Sequence, residues 1–548
     1  MKYFLNGMQM EAGAGETYLD AVRAHFPDSG ALGIRVGGET LPLTAQPHEG
    51  EEAVITAYDC TEGRLIYERS LRFVFLLAAR QLFPDRRVRL EHSLGSGVYA
   101  EISGEHPLTP QAVRAIEERM REIVRMDLPF EKRDVTRRQA IEHFESLGQW
   151  DKVNLLKYRP HESFPLYSLA GMLEYFYGVM APSTGCLGVF QLRFHLPGVV
   201  LQLPDPENPE KVAPFYDVPK LMKTFAQSAK WSEILDCRNA ADLNDMVQNR
   251  RLREFIRVNE ALHEKSISQI ADQFRASGAR VILIAGPSSS GKTTFAHRLS
   301  IALKVLGLRP KAISLDDYYI NRAEIPVDEN GEQDLERLDT LDVPLFNEHL
   351  VRILQGEAVQ TPIYDFTTGR RSERTNTVQV TCDQPIIIEG IHGLNDELTR
   401  EVERSLKFKV YISALTTLNL DDHNRIRTTD ARLLRRLVRD QQFRGTPPEE
   451  TLSMWPSVRR GEEKYIFPFQ EEADVMFNSS LVYEMAILKK YVYPLLLSVP
   501  TDNPNYTRAR RLVKFLNYFQ SSDVEDEIPV NSILREFIGG CCFYRKDD

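Results

Sequence analysis

"VILIAGPSSSGKTTFAHRLS", residues 281–300, joins an apolar run, a loop of small residues and an amphipathic stretch. The loop fits G-x-x-x-x-G-K-[ST] from Gly286 to Thr293. Glycines and serines let backbone N–H groups turn inward around phosphate oxygens, and the helix that follows adds its positive N-terminal end. In this pattern Lys292 reaches the β- and γ-phosphates and the Thr293 hydroxyl sits on Mg²⁺. From average residue usage, a chain of this length meets the bare pattern by chance about once or twice in a hundred. The flanks narrow it further. "VILIA" reads as a buried strand and "TTFAHRLSIAL" carries apolar residues at helical spacing, the strand–loop–helix that a phosphate loop requires. The expected ligand is a nucleoside triphosphate.

Composition excludes several other classes. With 548 residues the chain should hold several domains, and 42% hydrophobic with 27% charged residues is a globular balance. A net charge of −10 argues against nucleic-acid binding by the whole chain, though it permits a local basic patch. No apolar run approaches membrane-spanning length, and "MKYFLNGMQMEAGAGE" lacks the pattern of a signal peptide, so no membrane partner is expected and the cytoplasm is the expected compartment. The six cysteines show no C-x-x-C spacing, which points to neither a zinc site nor a disulfide framework.

Four parts follow from the pattern. Residues 1–60 hold short strand-like pieces ("KYFLNG", "LGIRVGG", "AVITAYD") around one helix ("TYLDAVRAHF"), a small α+β unit. Residues 61–213 mix helices and strands and end in "PDPENPE". Residues 214–278 read as a charged helical connector. From 279 to 548 strands and helices alternate, which predicts an α/β domain with a parallel sheet and helices on both faces.

Three segments after the loop carry chemistry. "KAISLDDYY" (311–319) is an apolar strand ending in paired carboxylates and tyrosines. Ligands of open α/β sheets sit at the carboxyl ends of strands, so Asp316 and Asp317 should face the phosphate site, where one can take the proton of an attacking hydroxyl or hold Mg²⁺. "QPIIIEGIHGL" (384–394) places Glu389 at the end of another buried strand, suited to bind the metal through water. "DARLLRRLVRDQQFRG" (430–445) sets Arg432, Arg435, Arg436, Arg439 and Arg444 along one helix and its exit, a lid able to neutralise charge on a transferred group.

Together these segments resemble the uridine kinase and phosphoribulokinase family of P-loop kinases over about residues 280–485. "GPSSSGKTT" is similar to the family's phosphate loop, which implies donor contacts from Gly286, Ser288, Ser289, Ser290, Gly291, Lys292, Thr293 and Thr294. "SLDDYY" resembles S-x-D-[SD]-[FY]-Y, which implies Asp316 as general base and Tyr319 in the acceptor pocket. "LDTLDVP" resembles the aspartate-rich stretch that reads sugar hydroxyls, here Asp339 and Asp342. "TPIYDFTTGRR" resembles P-x-Y-D-[FY], whose tyrosine, here Tyr364, lines the nucleoside pocket. "RRLVRDQQFRG" resembles the lid pattern, giving Arg436 to donor and acceptor, Arg439 to acceptor and catalysis, and Arg444 to catalysis. The resemblance implies ATP as donor and Mg²⁺ held by Thr293 and Glu389. The chain also departs from the uridine kinase pattern. Gly369 stands where those enzymes carry a histidine against the pyrimidine, "YDFTTG" shares T-G with the phosphoribulokinase Y-N-H-x-T-G, "IEGIHG" leans the same way, and "TPP" replaces a further lid arginine after Gly445.

About residues 1–205 resemble the TGS and second additional (editing) domains of threonyl-tRNA synthetase. The similarity rests on "RSLRFVFLLAARQLFPD" (69–85), "GSGVYAEI" (95–102) and "FPLYSLAGMLEYFYGVMAPSTG" (164–185). Where that family's editing site has histidines and a cysteine, this chain has Arg69, Phe73, Phe176 and Met180, so hydrolytic editing and its metal chemistry are expected to be lost. The remaining scaffold is expected to bind a regulator, RNA or the kinase part, or to serve structure alone. The function expected of the whole is transfer of a γ-phosphate from ATP to a hydroxyl of a small molecule, the 5′-OH of a pyrimidine ribonucleoside in the first place. The alternatives are a kinase for another sugar or sugar phosphate, or a nucleotide-switched RNA- or ribosome-binding protein. The oligomeric state is not legible.

Overall fold

The computed structural model describes residues 1–159, 161–325, 336–365 and 368–544. Of the segment "TPIYDFTTGRR", Phe366 and Thr367 lie outside the described residues.

The phosphate-loop strand Val281–Ala285 is buried along its whole length. It lies third in a five-stranded sheet in the order Lys311–Ser314, Ile386–Glu389, Val281–Ala285, Lys407–Ser413, Val475–Asn478. All four pairings are parallel. A strand covered on both faces favours apolar residues throughout, which is why Val281–Ala285 and Ile386–Glu389 read as continuous runs. Lys407 and Lys409 of the neighbouring strand are buried as partners of Asp396, at 3.2 and 2.9 Å. Val281, Leu283, Ile386 and Ile388 face one core with the helix Val343–Leu354, while Ile282, Ile284, Ile387 and Val410 face the other. The α/β architecture with helices on both faces is therefore present.

The segment expected as a connector is not a free linker. Its last helix, Leu252–Ser277, buries Ile256, Ile267, Ile270 and Phe274 in the second of these cores, and the Phe274 ring meets Phe408 of the sheet at 5.7 Å. Its charged face, visible in the sequence, is only the half that meets water.

The first 60 residues fold as a five-stranded sheet with the helix Tyr18–His25. The next unit places the helix Thr61–Leu82 and the helix Pro110–Arg125 with a four-stranded antiparallel sheet and a three-stranded one. Phe73, Phe176 and Met180 sit inside its apolar core, with the Phe73 and Phe176 rings 5.4 Å apart. Arg69 donates to the Val179 carbonyl.

The amino-terminal half and the kinase part share a core. Phe144, Leu156, Phe164 and Tyr175 belong to the same apolar cluster as the sheet. Charge fixes the junction. The short hairpin Asn419–Asp421 and Asn424–Arg425 inserts Asp421 and His423 beside Lys152 and Glu174. Lys152 Nζ lies 3.2 Å from Glu174, 3.5 Å from Asp421 and 3.8 Å from Asp151. Burial alone would lower the Lys152 ammonium, but the three carboxylates raise it well above its ordinary value. Burial likewise pushes Glu174 up, yet Lys152 and His423 outweigh it and hold the carboxyl at about 2. Nearby, Glu68 accepts from Arg72, Arg425 and Arg427 at 3.3, 3.1 and 2.5 Å.

Removing one member of such a buried set leaves an uncompensated charge, at a cost of about 3–5 kcal/mol. Lys152→Met should therefore lower the unfolding transition of the full chain by several degrees, whereas Lys157→Met on the exposed side of the same helix should not. Differential scanning calorimetry of the two variants measures this.

Candidate active site

The loop's shape follows from three residues. A Cβ at Gly286 would lie 1.9 Å from the Ile412 carbonyl oxygen, so only glycine fits there. Ser289 and Gly291 take positive φ of 59° and 86°. These turn the backbone into the helix Lys292–Val305, whose first N–H groups lack intrahelical partners. Buried side chains hold the loop from behind. The carbonyls of Ser288, Ser289 and Ser290 accept from Arg432 Nε at 3.1 Å, Arg435 Nη1 at 3.4 Å and Ser479 Oγ at 2.5 Å. Ser290 is wholly buried, and its N–H donates to the Pro287 carbonyl. Ser289 Oγ, on the cavity wall, is buried with no hydrogen-bond partner among the described residues, as suits a hydroxyl built to meet an oxyanion. Lys292 Nζ donates to the Gly286 carbonyl at 2.9 Å, inside the loop it would leave for a phosphate.

Arg432 and Arg435 correct the sequence reading. Both face the core, 1% and 0% exposed, and do not reach the cavity as lid cations. Arg432 pairs with Glu462 and Arg435 with Glu484 at 2.6 Å. The helix Thr428–Phe443 packs on that side against the helices Pro448–Tyr465 and Glu484–Leu497, so an arginine there must be paired. Arg436, Arg439 and Arg444 do line the cavity. All three gather on one carboxylate, Asp440, at 3.0, 3.0 and 3.5 Å. Arg436 Nη1 also donates to Ser288 Oγ at 2.9 Å. These three guanidiniums share the cavity with Lys292 and with the carboxylates of Asp316, Glu336 and Glu389, so cations and acids meet on one wall.

The acids divide by role. Thr293 Oγ1 donates to Glu389 at 2.9 Å. Burial pushes the Glu389 carboxyl up to about 7; Asp316 and Glu536 add to this, against Lys292 and Thr293. A hydroxyl beside a carboxylate that is costly to ionise alone suits a hard divalent cation, which would keep its other oxygens from water and phosphates. Among the described residues no group of three or more His, Cys, Asp or Glu could form an all-protein metal cage. Asp316 follows the edge strand in a short turn that Ser314 Oγ caps at 3.2 Å. It is solvent-accessible on the cavity wall, while the packed protein around it and Asp317 raise its carboxyl above the usual range, opposed by Lys292 and Arg444. Asp317 is engaged elsewhere and accepts the Tyr364 N–H at 3.2 Å.

One cavity of 410 Å³ joins the loop (Ser288, Ser289, Gly291, Lys292, Thr293), Asp316, Glu389 and the three arginines to an acceptor side formed by Tyr319, Tyr364, Gly369 and Arg322. The Tyr319 and Tyr364 rings lie 5.6 Å apart. Gly369 has φ +67°, and a Cβ there would come within 3.1 Å of Arg322. Asp339 and Asp342 are not on this wall, which corrects their expected place. Asp339 pairs with Arg337 at 2.8 Å on the surface. Asp342 caps the helix Val343–Leu354 through Leu345 N–H and holds Arg371 at 3.1 Å. Arg371 in turn donates to the carbonyls of Tyr318 and Tyr319, so Asp342 positions the acceptor wall without facing it.

The sequence reading missed Glu462, Glu536 and Tyr544. Glu462 Oε1 accepts the Ser288 N–H at 2.9 Å, an acid seated on the phosphate loop itself. Thr294 Oγ1 donates to Glu536 at 2.6 Å and meets Tyr544 OH at 3.4 Å, which leaves the Thr294 backbone, rather than its hydroxyl, for a donor phosphate. His297 stacks on Phe543 at 4.9 Å. A second cavity of 670 Å³ adjoins the first through Thr293, Arg439, Arg444 and Glu536, and this carboxyl-terminal segment forms its far wall.

This arrangement, a phosphate loop facing a carboxylate and three arginines across one cavity, is that of a P-loop kinase acting on a small molecule. The family model for phosphoribulokinase and uridine kinase matches residues 281–485. A uridine kinase of Deinococcus deserti is 31% identical over 208 residues, 38% of this chain and 91% of that enzyme. The chain belongs to the phosphoribulokinase/uridine kinase family. Among solved structures, a possible uridine kinase from Bacillus stearothermophilus is 23% identical, with 38% of this chain and 96% of that one covered at a TM-score of 0.27. Threonine–tRNA ligases are similar as well. That of Nitratidesulfovibrio vulgaris is 26% identical over 196 residues, 35% of this chain and 30% of the ligase, and that of Paraburkholderia phymatum 32% over 164 residues, 30% and 26%. The chain thus spans less than a third of those ligases.

The Glu389 carboxyl predicts a pH dependence. Its folded pKa of about 7 lies above the ordinary 4.5, so the folded protein holds a proton that the unfolded chain releases. That contribution is complete below the ordinary value and is lost as pH rises through about 7. Glu389→Gln keeps an acceptor for Thr293 and removes the loss. The variant's melting temperature without ligands should match wild type in acid and exceed it above about pH 8.

Proposed function

We propose that the chain transfers the γ-phosphoryl of ATP to a primary hydroxyl, the 5′-OH of a pyrimidine ribonucleoside. The observation that carries this is the division of labour between adjacent acids. Asp317 is spent on the Tyr364 backbone, while Asp316 stands in the cavity with Lys292 and the arginines. A protein that only senses a nucleotide needs no such acceptor-side acid.

Asp316 accepts the proton of the acceptor hydroxyl as its oxygen bonds to the γ-phosphorus, and the bond from that phosphorus to the β–γ bridging oxygen breaks. A carboxyl raised above the usual range is the better base for this step. Lys292, freed from the Gly286 carbonyl, neutralises the β- and γ-oxygens, and Arg436, Arg439 and Arg444 stabilise charge on the transferred group. Mg²⁺ fits the Thr293–Glu389 pair and would offset phosphate charge there. The donor's nucleoside is assigned to the adjoining 670 Å³ cavity.

A sugar phosphate is the second reading, favoured by one observation. Arg322 lines the acceptor side next to Gly369, where a pyrimidine-reading histidine would stand.

Asp316→Asn should lower turnover by about 10² to 10⁴ with little change in ATP affinity. Asp317→Asn should be far milder, and the reverse pattern in steady-state kinetics would reject Asp316 as base.

With glycine at position 369, discrimination among bases should be in the range of an apolar pocket, about 10- to 200-fold, below the 10⁴ or more of a hydrogen-bonding one. ADP release across uridine, cytidine, inosine, adenosine and pentose phosphates reads this out. Turnover on a pentose phosphate and on no nucleoside would establish the second reading.

A further inference from the structure

A cavity of 490 Å³ lies away from the kinase site, where three parts of the chain meet. The hairpin Gly38–Pro42, the second unit around Arg69 and Tyr177, and the helix Tyr506–Leu516 form its walls. The contact is close, since a Cβ at Gly38 would fall 2.7 Å from Tyr506 Cβ.

Its lining combines two chemistries. Six permanent cations, Arg69, Lys132, Arg159, Arg510, Arg511 and Lys514, face only two carboxylates, Glu39 and Glu62. Arg511 is committed to Asp430 at 2.6 Å. The other five form no ion pair among the described residues. Arg69 is held against the Val179 carbonyl, and Gly178 makes room for it, since a Cβ there would lie 2.5 Å from the guanidinium. Burial, with Arg72 nearby, lowers Arg69 to about 10, the mark of a cation lacking a counter-charge. Arg159 Nε is buried without a hydrogen-bond partner. Arg510 and Lys514 are one helical turn apart on the helix Tyr506–Leu516, so they present charge together.

The rest of the wall is aromatic. Tyr167, Tyr175, Tyr177, Tyr506 and Tyr518 all line it. Tyr175 and Tyr518 meet edge to face at 6.0 Å, and Arg159 lies over the Tyr518 ring at 4.6 Å. Tyr167, Tyr175 and Tyr518 are buried in the wall, and the half-buried Tyr177 and Tyr506 are left to stack on a flat ring beside positive charge. An aromatic monoacid would neutralise one cation of the five. A nucleoside di- or triphosphate supplies a ring, a volume suited to the cavity and enough charge for several cations.

We propose that this cavity is a second nucleotide site, which binds a nucleoside di- or triphosphate with its phosphates on Arg510, Lys514 and Lys132 and its base among the tyrosines. It is separate from the phosphate loop, so the test does not depend on the kinase reading. Lys292→Ala in the full chain disables the loop, and equilibrium dialysis without divalent cations then measures ATP, GTP, UTP and CTP, with inorganic triphosphate and uridine as controls. At least one nucleotide should bind saturably below millimolar concentration, with triphosphate and uridine at least about tenfold weaker. Adding Arg510→Glu and Lys514→Glu should weaken it by at least about tenfold for each charge reversed. Lys132→Glu, on the opposite wall, should do the same independently. All three side chains are exposed, so the fold should persist, as melting temperature will report. The proposal fails if none of the four nucleotides binds, if these substitutions leave binding unchanged, or if triphosphate alone binds equally well. It fails in favour of RNA if a hairpin with a single-stranded end binds and mononucleotides do not.

Discussion

Two buried ion pairs, Arg432–Glu462 and Arg435–Glu484, hold the phosphate loop to the rest of the protein. Each arginine spends part of its fork on a carboxylate and part on a loop carbonyl, Ser288 or Ser289. Breaking a pair would strand a charge in the core at about 3–5 kcal/mol, so the loop is held in place by a penalty as much as by an attraction. The next residue on the same helix, Arg436, faces the cavity instead. One helix therefore has an anchoring side and a reactive side, and the position of the reactive side follows from the anchoring one.

That helix also ties the parts together. At its start Asp430 takes both Nη atoms of Arg511 at 2.6 Å, from the helix Tyr506–Leu516. Immediately before it, Arg425 and Arg427 reach Glu68 of the amino-terminal half, and the hairpin that carries Asp421 and His423 is closed around Lys152. The carboxyl-terminal segment then returns to Thr294 through Glu536. The amino-terminal half is packed into the same framework that sets the phosphate loop.

What was legible in the sequence was whatever short spacing encodes. Continuous apolar runs marked the strands at 281 and 386, whereas the strand Lys407–Ser413, interrupted by Lys407 and Lys409, was not legible as one. The loop glycines and Lys292 were legible because backbone geometry admits few alternatives. The side of a helix was harder to read. Arg432 and Arg435 look like Arg436 in sequence, and only the neighbouring helices, which carry Glu462 and Glu484, show that they are buried. Asp339 and Asp342 failed for a related reason. An aspartate before a helix that begins with proline also serves as a cap, and Asp342 does so. Glu462 lies in an ordinary charged helix, and Glu536 is far along the chain from the Thr294 it meets, so no local pattern could reveal either one.

The packing of Phe73 against Phe176 bears on history. At two of the positions where the resemblance to the ligases' editing domain implies a histidine and a cysteine, these rings are 0% and 1% exposed within an apolar cluster. Histidine in place of Phe73 would put a polar ring into this apolar cluster, at a cost of about 1–3 kcal/mol. Packing of this kind works as a ratchet: once apolar rings fill such positions, a polar side chain enters only at a cost in stability, and the scaffold's outer surfaces are left to vary more freely than its interior.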